Sequence, residues 1–343
     1  MINKVAFYGA GNVGATAAHW LAGMEIADCV LFDIFGQVAA GKALDLYEAG
    51  PPIGFDARIT GSNDPGIIEG ADVIVVTAGV PRKKNPETGQ FPSRDELVKI
   101  NQDVTTQVAA NIKQYAPNAI VIMVTNPLDA MCHVMLNETG FPRERVIGMA
   151  GALDTARYKT FIAKELGVSV DDVHGIVLGG HGDTMVPLPR HTSVAGIPLT
   201  ELMPAERIEA IIQRTAKGGG EIVGLLGYSG YYAPAAGTAI MVESILKDKK
   251  RVLPCAIYTQ GEYGYSDLFL GLPVVLGRNG LEKVIEMDLN DHEKALLDNS
   301  ANAVASVVEV LGDGFPQPLT YSTSATGSSG SSAWLSDCRL TPM

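Results

Sequence analysis

Two short runs in the first half of the chain limit most what it can fold into: DVIVVTAG at residues 72–79 and AIVIMVTN at residues 119–126. Each is almost continuously apolar and rich in Val and Ile, without the polar alternation of a strand that faces water on one side. Runs this short and this apolar are expected to be strands covered on both faces. Further β-rich runs are KVAFY (4–8), DCVLFD (28–33), RIT (58–60) and RVIGM (145–149). Helix-like stretches separate them, among them NVGATAAHWLAG, QVAAGKALDLYEAG and DELVKINQDVTTQVAANIKQYAP. Strand–helix alternation of this kind predicts an α/β protein with a doubly wound parallel sheet and right-handed crossovers.

The first turn of the pattern is GAGNVG. Gly9, Gly11 and Gly14 follow KVAFY directly and open the next helix as GxGxxG. There the first glycine permits a tight turn, the second lets the backbone approach a pyrophosphate, and the third seats the helix close to the sheet. The phosphate then meets free N–H groups at the positive end of that helix. Alone the pattern is weak, because Gly-rich turns are common in α/β proteins. Asp33 strengthens it by ending the second strand about twenty residues past Gly14, where a carboxylate accepts the ribose hydroxyls of NAD. The competing reading of Asp33 is a local turn cap. Ile34 and Phe35 follow without an arginine to take a 2′-phosphate, so NAD is expected rather than NADP. Residues 1–149 are assigned to an NAD-binding domain of Rossmann type.

The second half has a different pattern. LDTARYKTFIAKELG leads into HGIVLGGHGD, then long helical stretches and strands near CAIYTQGEYG and LPVVLGRNG. Residues 150–312 are expected to form an α+β substrate or catalytic domain. Its last helix, DHEKALLDNSANAVASVVEVLG, ends near Leu311–Gly312. Residues 313–343, rich in Ser, Thr and Gly, are expected to be a poorly ordered tail.

The formal net charge is −12 and the pI near 5.0, which argues against a general nucleic-acid binder. The basic stretch VPRKKNPETGQFPSR, from Val80 to Arg94, is therefore expected to act locally on a small anion. Cys29, Cys132, Cys255 and Cys338 are too scattered for a zinc site or a disulfide framework, which fits a reducing cytoplasm. No apolar run approaches the roughly 18 residues that would span a bilayer. The strand-like run that follows the first residues of MINKVAFYGAG leaves no room for a signal peptide, so none is expected.

His181 sits in VLGGHGDTMVPLP, where small neighbours leave an imidazole accessible to a ligand and able to exchange a proton near neutral pH. A histidine in such a turn is also a common structural element. His19, His133, His174, His191 and His292 lack that setting and are assigned to surface or core. Asp154 and Arg157 of LDTAR lie one helical turn apart. They either form a local ion pair or take separate partners, Asp154 orienting His181 and Arg157 forking onto a substrate carboxylate. Asn126 lies at the carboxyl end of the fifth strand, where open parallel sheets bind ligands, although Asn before Pro also favours a turn.

Together, GAGNVG, FD, TAGVPR, SRDEL, VTNPLD, LDTAR, GGHGD and YYAPAA resemble the lactate/malate dehydrogenase family, and within it the lactate-dehydrogenase-like malate dehydrogenases of bacteria. The resemblance runs from about Asn3 to Leu311. It implies reversible oxidation of (S)-malate to oxaloacetate with NAD, as in the tricarboxylic acid cycle, by a cytoplasmic homodimer or homotetramer. His181 resembles the family's proton donor and acceptor, and Asp154 its orienting carboxylate. Arg157 matches the clamp on the substrate's C1 carboxylate, Arg94 the mobile arginine that polarises the carbonyl, and Asn126 a residue near the nicotinamide ribose and substrate oxygen. The implied cofactor-binding set is Gly9, Gly11, Asn12, Gly14, Asp33, Asn101 and Asn126. Arg82 matches the position where family members acting on lactate place Gln and those acting on malate place Arg. The physical reason is that a second carboxylate sealed in a dry site without a cation costs about 2–5 kcal/mol.

The basic stretch is then a lid carrying two anion-recognising arginines. It departs from the family in being about six residues longer between Arg82 and Arg94, an insertion that loops tolerate at small cost. The rival activities are a lactate or broad 2-hydroxy-acid dehydrogenase and a catalytically silent NAD-binding protein.

Overall fold

The computed structural model describes residues 3–81, 93–315 and 321, and for Arg94 the main chain alone. Arg82 and most of the expected lid therefore lie outside the described residues, as does most of the expected tail.

The alternating half forms strands β1 (Lys4–Tyr8), β2 (Asp28–Phe32), β3 (Ile59–Ser62), β4 (Val73–Val76), β5 (Ile120–Met123) and β6 (Val146–Gly148). Interleaved with them are helices α1 (Asn12–Gly23), α2 (Gly36–Glu48), the single turn α3 (Gly50–Ile53), α4 (Arg94–Tyr115) and α5 (Leu128–Thr139). All six strands pair in parallel, in spatial order 3-2-1-4-5-6. β4 and β5 are buried at every position, as expected of their unbroken apolar runs. The order reverses between β1 and β4, which opens a crevice at the carboxyl end of the sheet. α4 begins at Arg94 because Ser93 and Glu96 cap it reciprocally: the Ser93 hydroxyl accepts the Glu96 N–H, and the Glu96 carboxylate accepts the Ser93 N–H.

The second half contributes α6 (Gly151–Leu166), short strands β7 (Val173–His174), β8 (Val177–Leu178), β9 (Val186–Pro187), β10 (Ser193–Val194) and β11 (Ile197–Pro198), and helices α7 (Leu199–Leu202), α8 (Ala205–Leu226) and α9 (Tyr232–Leu246). It ends with β12 (Arg251–Gln260), β13 (Ser266–Gly277), β14 (Gly280–Val284) and α10 (Asp291–Val308).

Three features of the second half are informative. The sheet does not stop at the expected boundary: β12 pairs antiparallel with β6, so β12, β13 and β14 extend it to nine strands. Pairing β6 covers an edge that would otherwise present bare main-chain groups. The run HGIVLGGHGD is not one strand. β7 joins a small separate sheet, β8 pairs with β9, and the glycines after Leu178 form a loop. Past the last helix, Tyr321 is held by two elements of this half. Its main chain exchanges two hydrogen bonds with the Asn302 side chain, and its ring packs on Tyr265.

One large core lies on both faces of the main sheet. A smaller one, built around Tyr158, Ile162, Val173 and Ile208, packs α6 against β7 and α8.

Candidate active site

The three glycines of the first turn have different reasons to be glycine. Gly9 has φ +114, and a Cβ there would lie 2.6 Å from the Ala78 nitrogen. A Cβ on Gly14 would lie 2.2 Å from the Gly9 carbonyl oxygen, so α1 sits against the turn that precedes it. Gly11 is extended, and a Cβ on it would meet nothing within 4 Å. No protein atom requires a glycine at that position; the open space lies on the ligand side of the turn. Gly11 is also the N-cap of α1 and supplies no side chain to it, which leaves the first N–H groups to an anion. Asn12 opens the helix beside it. Asp33 accepts from the Ala10 N–H at 2.9 Å and from the Phe35 N–H at 3.1 Å. It therefore caps the turn after β2 and also ties β2 to the glycine turn. This donor set fits the pyrophosphate and ribose of a dinucleotide.

Across the crevice, Asn101 is buried on α4. Its amide nitrogen donates to the Val80 and Asn126 carbonyls at 3.1 and 2.7 Å, and its amide oxygen accepts from the Val80 N–H at 2.7 Å. The side chain straps together the loops after β4 and β5. Asn126 itself is exposed at the end of β5.

The structure brings His181, Asp154 and Arg157 together. Asp154 lies in the first turn of α6, where the helix N-terminus favours negative charge. One of its oxygens is 2.9 Å from His181 Nδ1, and the other is 3.3 Å from Arg157 Nη1. The local ion pair with Arg157 and the contact with His181 coexist, because the carboxylate has two oxygens. With Nδ1 on Asp154, the neutral ring presents its Nε2 lone pair to a ligand. The His181 side chain is 20% exposed, whereas Asp154 is 2% exposed. Burial pulls the His181 pKa down, but the charge and hydrogen bond of Asp154, with the charge of Asp129, outweigh it and leave the pKa raised. Arg157 lies against α8, where a Cβ on Gly218 would be 2.2 Å from its Cδ.

Two residues at the site escaped the sequence reading. Gly218 gave no local signal, since its neighbours Gly219 and Gly220 look alike in sequence. Asp129, three residues past Asn126, is 7% exposed and accepts from the His181 N–H at 3.0 Å. Its place in VTNPLD was the one signal available. The five other histidines occupy ordinary positions. His133 is in the core, accepting from the Phe269 N–H, and burial lowers its pKa to about 3. No group of three or more His, Cys, Asp or Glu among the described residues could hold a metal. Cys29, Cys132 and Cys255 are buried and free.

A doubly wound sheet with a glycine turn at its switch point and a histidine–aspartate pair nearby defines a dinucleotide-dependent oxidoreductase. Sequence and structure comparisons narrow that class. Residues 3–148 match the lactate/malate dehydrogenase NAD-binding domain, and residues 151–311 match the α/β C-terminal domain of the same family. A malate dehydrogenase of Roseiflexus sp. (strain RS-1) is 54% identical over 309 residues, 90% of this chain and 98% of the relative. The malate dehydrogenase structure from Salinibacter ruber superposes with TM-score 0.85 at 50% identity, covering 90% and 97% of the two chains. A Cryptosporidium parvum lactate dehydrogenase, solved with lactic acid and NAD, gives TM-score 0.87 at 38% identity over 92% and 99%. The chain belongs to the lactate/malate dehydrogenase family.

Proposed function

We propose that the protein is an NAD-dependent malate dehydrogenase that interconverts (S)-malate and oxaloacetate. The observation that carries this reading is the shared carboxylate of Asp154, which orients His181 through one oxygen and neighbours Arg157 through the other. The nearness of His181 and Arg157 supports reading them as proton carrier and anion receptor. Gly9, Gly11, Asn12, Gly14 and Asp33 would hold the NAD, with Asn101 and Asn126 on the nicotinamide side. Bound NAD supplies the hydride acceptor; the protein's residues bind, orient and move the proton. Arg157 forks onto the C1 carboxylate of malate, and Arg82 and Arg94 of the lid segment serve the second carboxylate and the reacting oxygen. His181 Nε2 takes the hydroxyl proton as the O–H electron pair becomes the new C=O bond. Asp154 stabilises the resulting imidazolium, and in oxaloacetate reduction the same proton returns to the carbonyl oxygen.

The test is NADH oxidation with oxaloacetate and with pyruvate side by side. A higher kcat/KM for oxaloacetate is expected, and a preference for pyruvate would reassign the protein to lactate or broad 2-hydroxy-acid chemistry. Arg82→Gln should reduce oxaloacetate use far more than pyruvate use, by roughly 30-fold or more. NAD binding without turnover of either acid would identify a silent binding protein.

Homo-oligomerisation and a cytoplasmic location complete the proposal. A groove of ≈ 340 Å³ lies between α1, α2 and α9, lined in part by Trp20, Leu46 and Tyr232. Exposed Leu44 and Tyr47 carry the same apolar character along α2, which a second copy would cover. Leu44→Asp should lower the oligomer mass seen by sedimentation. No helix among the described residues is long and apolar enough to cross a membrane, and free buried thiols suit a reducing compartment.

A further inference from the structure

Asp154 accounts for the orientation of the His181 ring and leaves the main chain that carries it unexplained. That main chain is a glycine loop, flexible by composition, yet it must hold an imidazole to within a fraction of an ångström. Two side chains from distant parts of the chain grip consecutive residues of it. The Ser300 hydroxyl, fully buried on α10, accepts from the Gly180 N–H at 2.9 Å. The Asp129 carboxylate, in the first turn of α5, accepts from the His181 N–H at 3.0 Å. The fit leaves no slack. A Cβ on Gly180 would lie 2.3 Å from Val304 and 3.3 Å from that same Asp129 oxygen, and a Cβ on Gly179 would lie 2.5 Å from the Ser300 hydroxyl.

We propose that Asp129 and Ser300 are positioning residues that clamp the main chain of the His181 loop, and that Asp129 adds a second negative charge beside the imidazole.

A serine or asparagine would suffice merely to accept a main-chain N–H, yet a carboxylate stands at 129, with its second oxygen buried and without a hydrogen-bond partner among the described residues. A buried charge is costly to leave so exposed to low dielectric. Burial, with a smaller push from the charge of Asp154, raises the Asp129 pKa to about 6 against the pull of His181. Above that pH the ionised group strengthens the hold of His181 on its proton. The charged and titratable groups facing this pair are Asp154 and Arg157 from α6, and the Cys132 thiol from α5, which burial keeps protonated. Ser300 from α10 is neutral. The two helix N-termini, α5 at Asp129 and α6 at Asp154, temper the crowding of two carboxylates.

The inference rests on the acid–base role proposed for His181, and the experiment separates the two. Asp129→Asn keeps an oxygen for the His181 N–H and removes the charge. The acid limb of kcat/KM for malate oxidation should move to lower pH, and the His181 imidazole signal in NMR titration of the NAD-free protein should move with it. Ser300→Ala should lower kcat about tenfold by loosening the loop, with the position of the pH profile unchanged and KM for NAD held. Ser300→Thr, which keeps the hydroxyl, should recover part of the loss. An unmoved His181 titration in Asp129→Asn, or parental kcat in Ser300→Ala, would overturn the clamp. Should Asp129→Asn not fold, the serine pair still decides. Parental turnover by His181→Asn would instead overturn the acid–base reading beneath it.

Discussion

Two histidines sit at α5, one in its middle and one beside its first turn, and their surroundings could hardly differ more in effect. His133 lies within the helix, 2% exposed, packed edge-on against Phe269, with its Nε2 accepting a main-chain N–H from β13. His181 lies in the loop held by the first turn of the same helix, beside two carboxylates. Burial lowers the pKa of His133 to about 3, so it is neutral throughout the physiological range. Burial acts on His181 in the same direction, but Asp154 and Asp129 reverse the outcome. Desolvation alone silences an imidazole; a nearby carboxylate converts it into a proton carrier.

The largest expected effect comes from removing what distinguishes the two. His181→Asn should cost about 10²–10⁴-fold in kcat. Asp154→Asn should cost a loss of the same order, because its imidazole then resembles that of His133. Steady-state assays at saturating NAD measure both, and parental turnover in either would break the comparison.

The neighbouring anion site is next. Gly218→Ala forces a methyl group into the space of the Arg157 stem, and kcat/KM should fall about 10²-fold, mostly through KM, for a displacement near 1 Å. An unchanged KM would show that α8 does not position the arginine.

The pH dependence sharpens the contrast. Malate oxidation needs neutral His181 and oxaloacetate reduction needs it protonated, so the oxidation optimum should lie at the higher pH, separated by the raised pKa. Coincident profiles with rate-limiting hydride transfer would count against the assignment.

Stability should show the two histidines acting with opposite sign. The unfolded chain protonates His133 below about pH 6.5 while the folded core resists down to about 3, so stability falls as pH drops across that window. His181, with its folded pKa raised, contributes stability below pH 6.5 that is lost as pH rises through the raised value. His133→Leu should flatten the acid side of a denaturation series. It should cost about 1–3 kcal/mol at neutral pH by orphaning the Phe269 N–H, and leave kcat within about twofold. A His133→Leu protein as acid-sensitive as its parent would show that the buried carboxylates, and not this imidazole, govern that limb.

Legibility in the sequence followed the range of the interactions. The six parallel strands and the glycine turn are set by local patterning, and the structure keeps the strands within three residues of the expected bounds. Asp154 and Arg157 were readable because helical spacing puts them on one face, and the structure shows that a single carboxylate serves both partners. The strap that Asn101 forms was not readable: only the folded chain brings Val80 and Asn126 to it. Asp129, Gly218 and Ser300 were missed for the same reason, since each acts on a residue far away in sequence. Within HGIVLGGHGD the apolar run is strand only at Val177–Leu178, and the glycines after it, Gly179 at φ +89 among them, form a loop.

By itself the sequence determined the doubly wound half, the dinucleotide turn and the inventory of chemical groups, because each depends on neighbours within one strand or one helical turn. Only the tertiary structure decided that β12 would close the edge of β6, that α8 would leave room for Arg157, and that α5 and α10 would grip the histidine loop. The physical reason is that proton affinity and side-chain placement depend on charge and volume within a few ångströms, and the chain supplies those from segments more than a hundred residues apart.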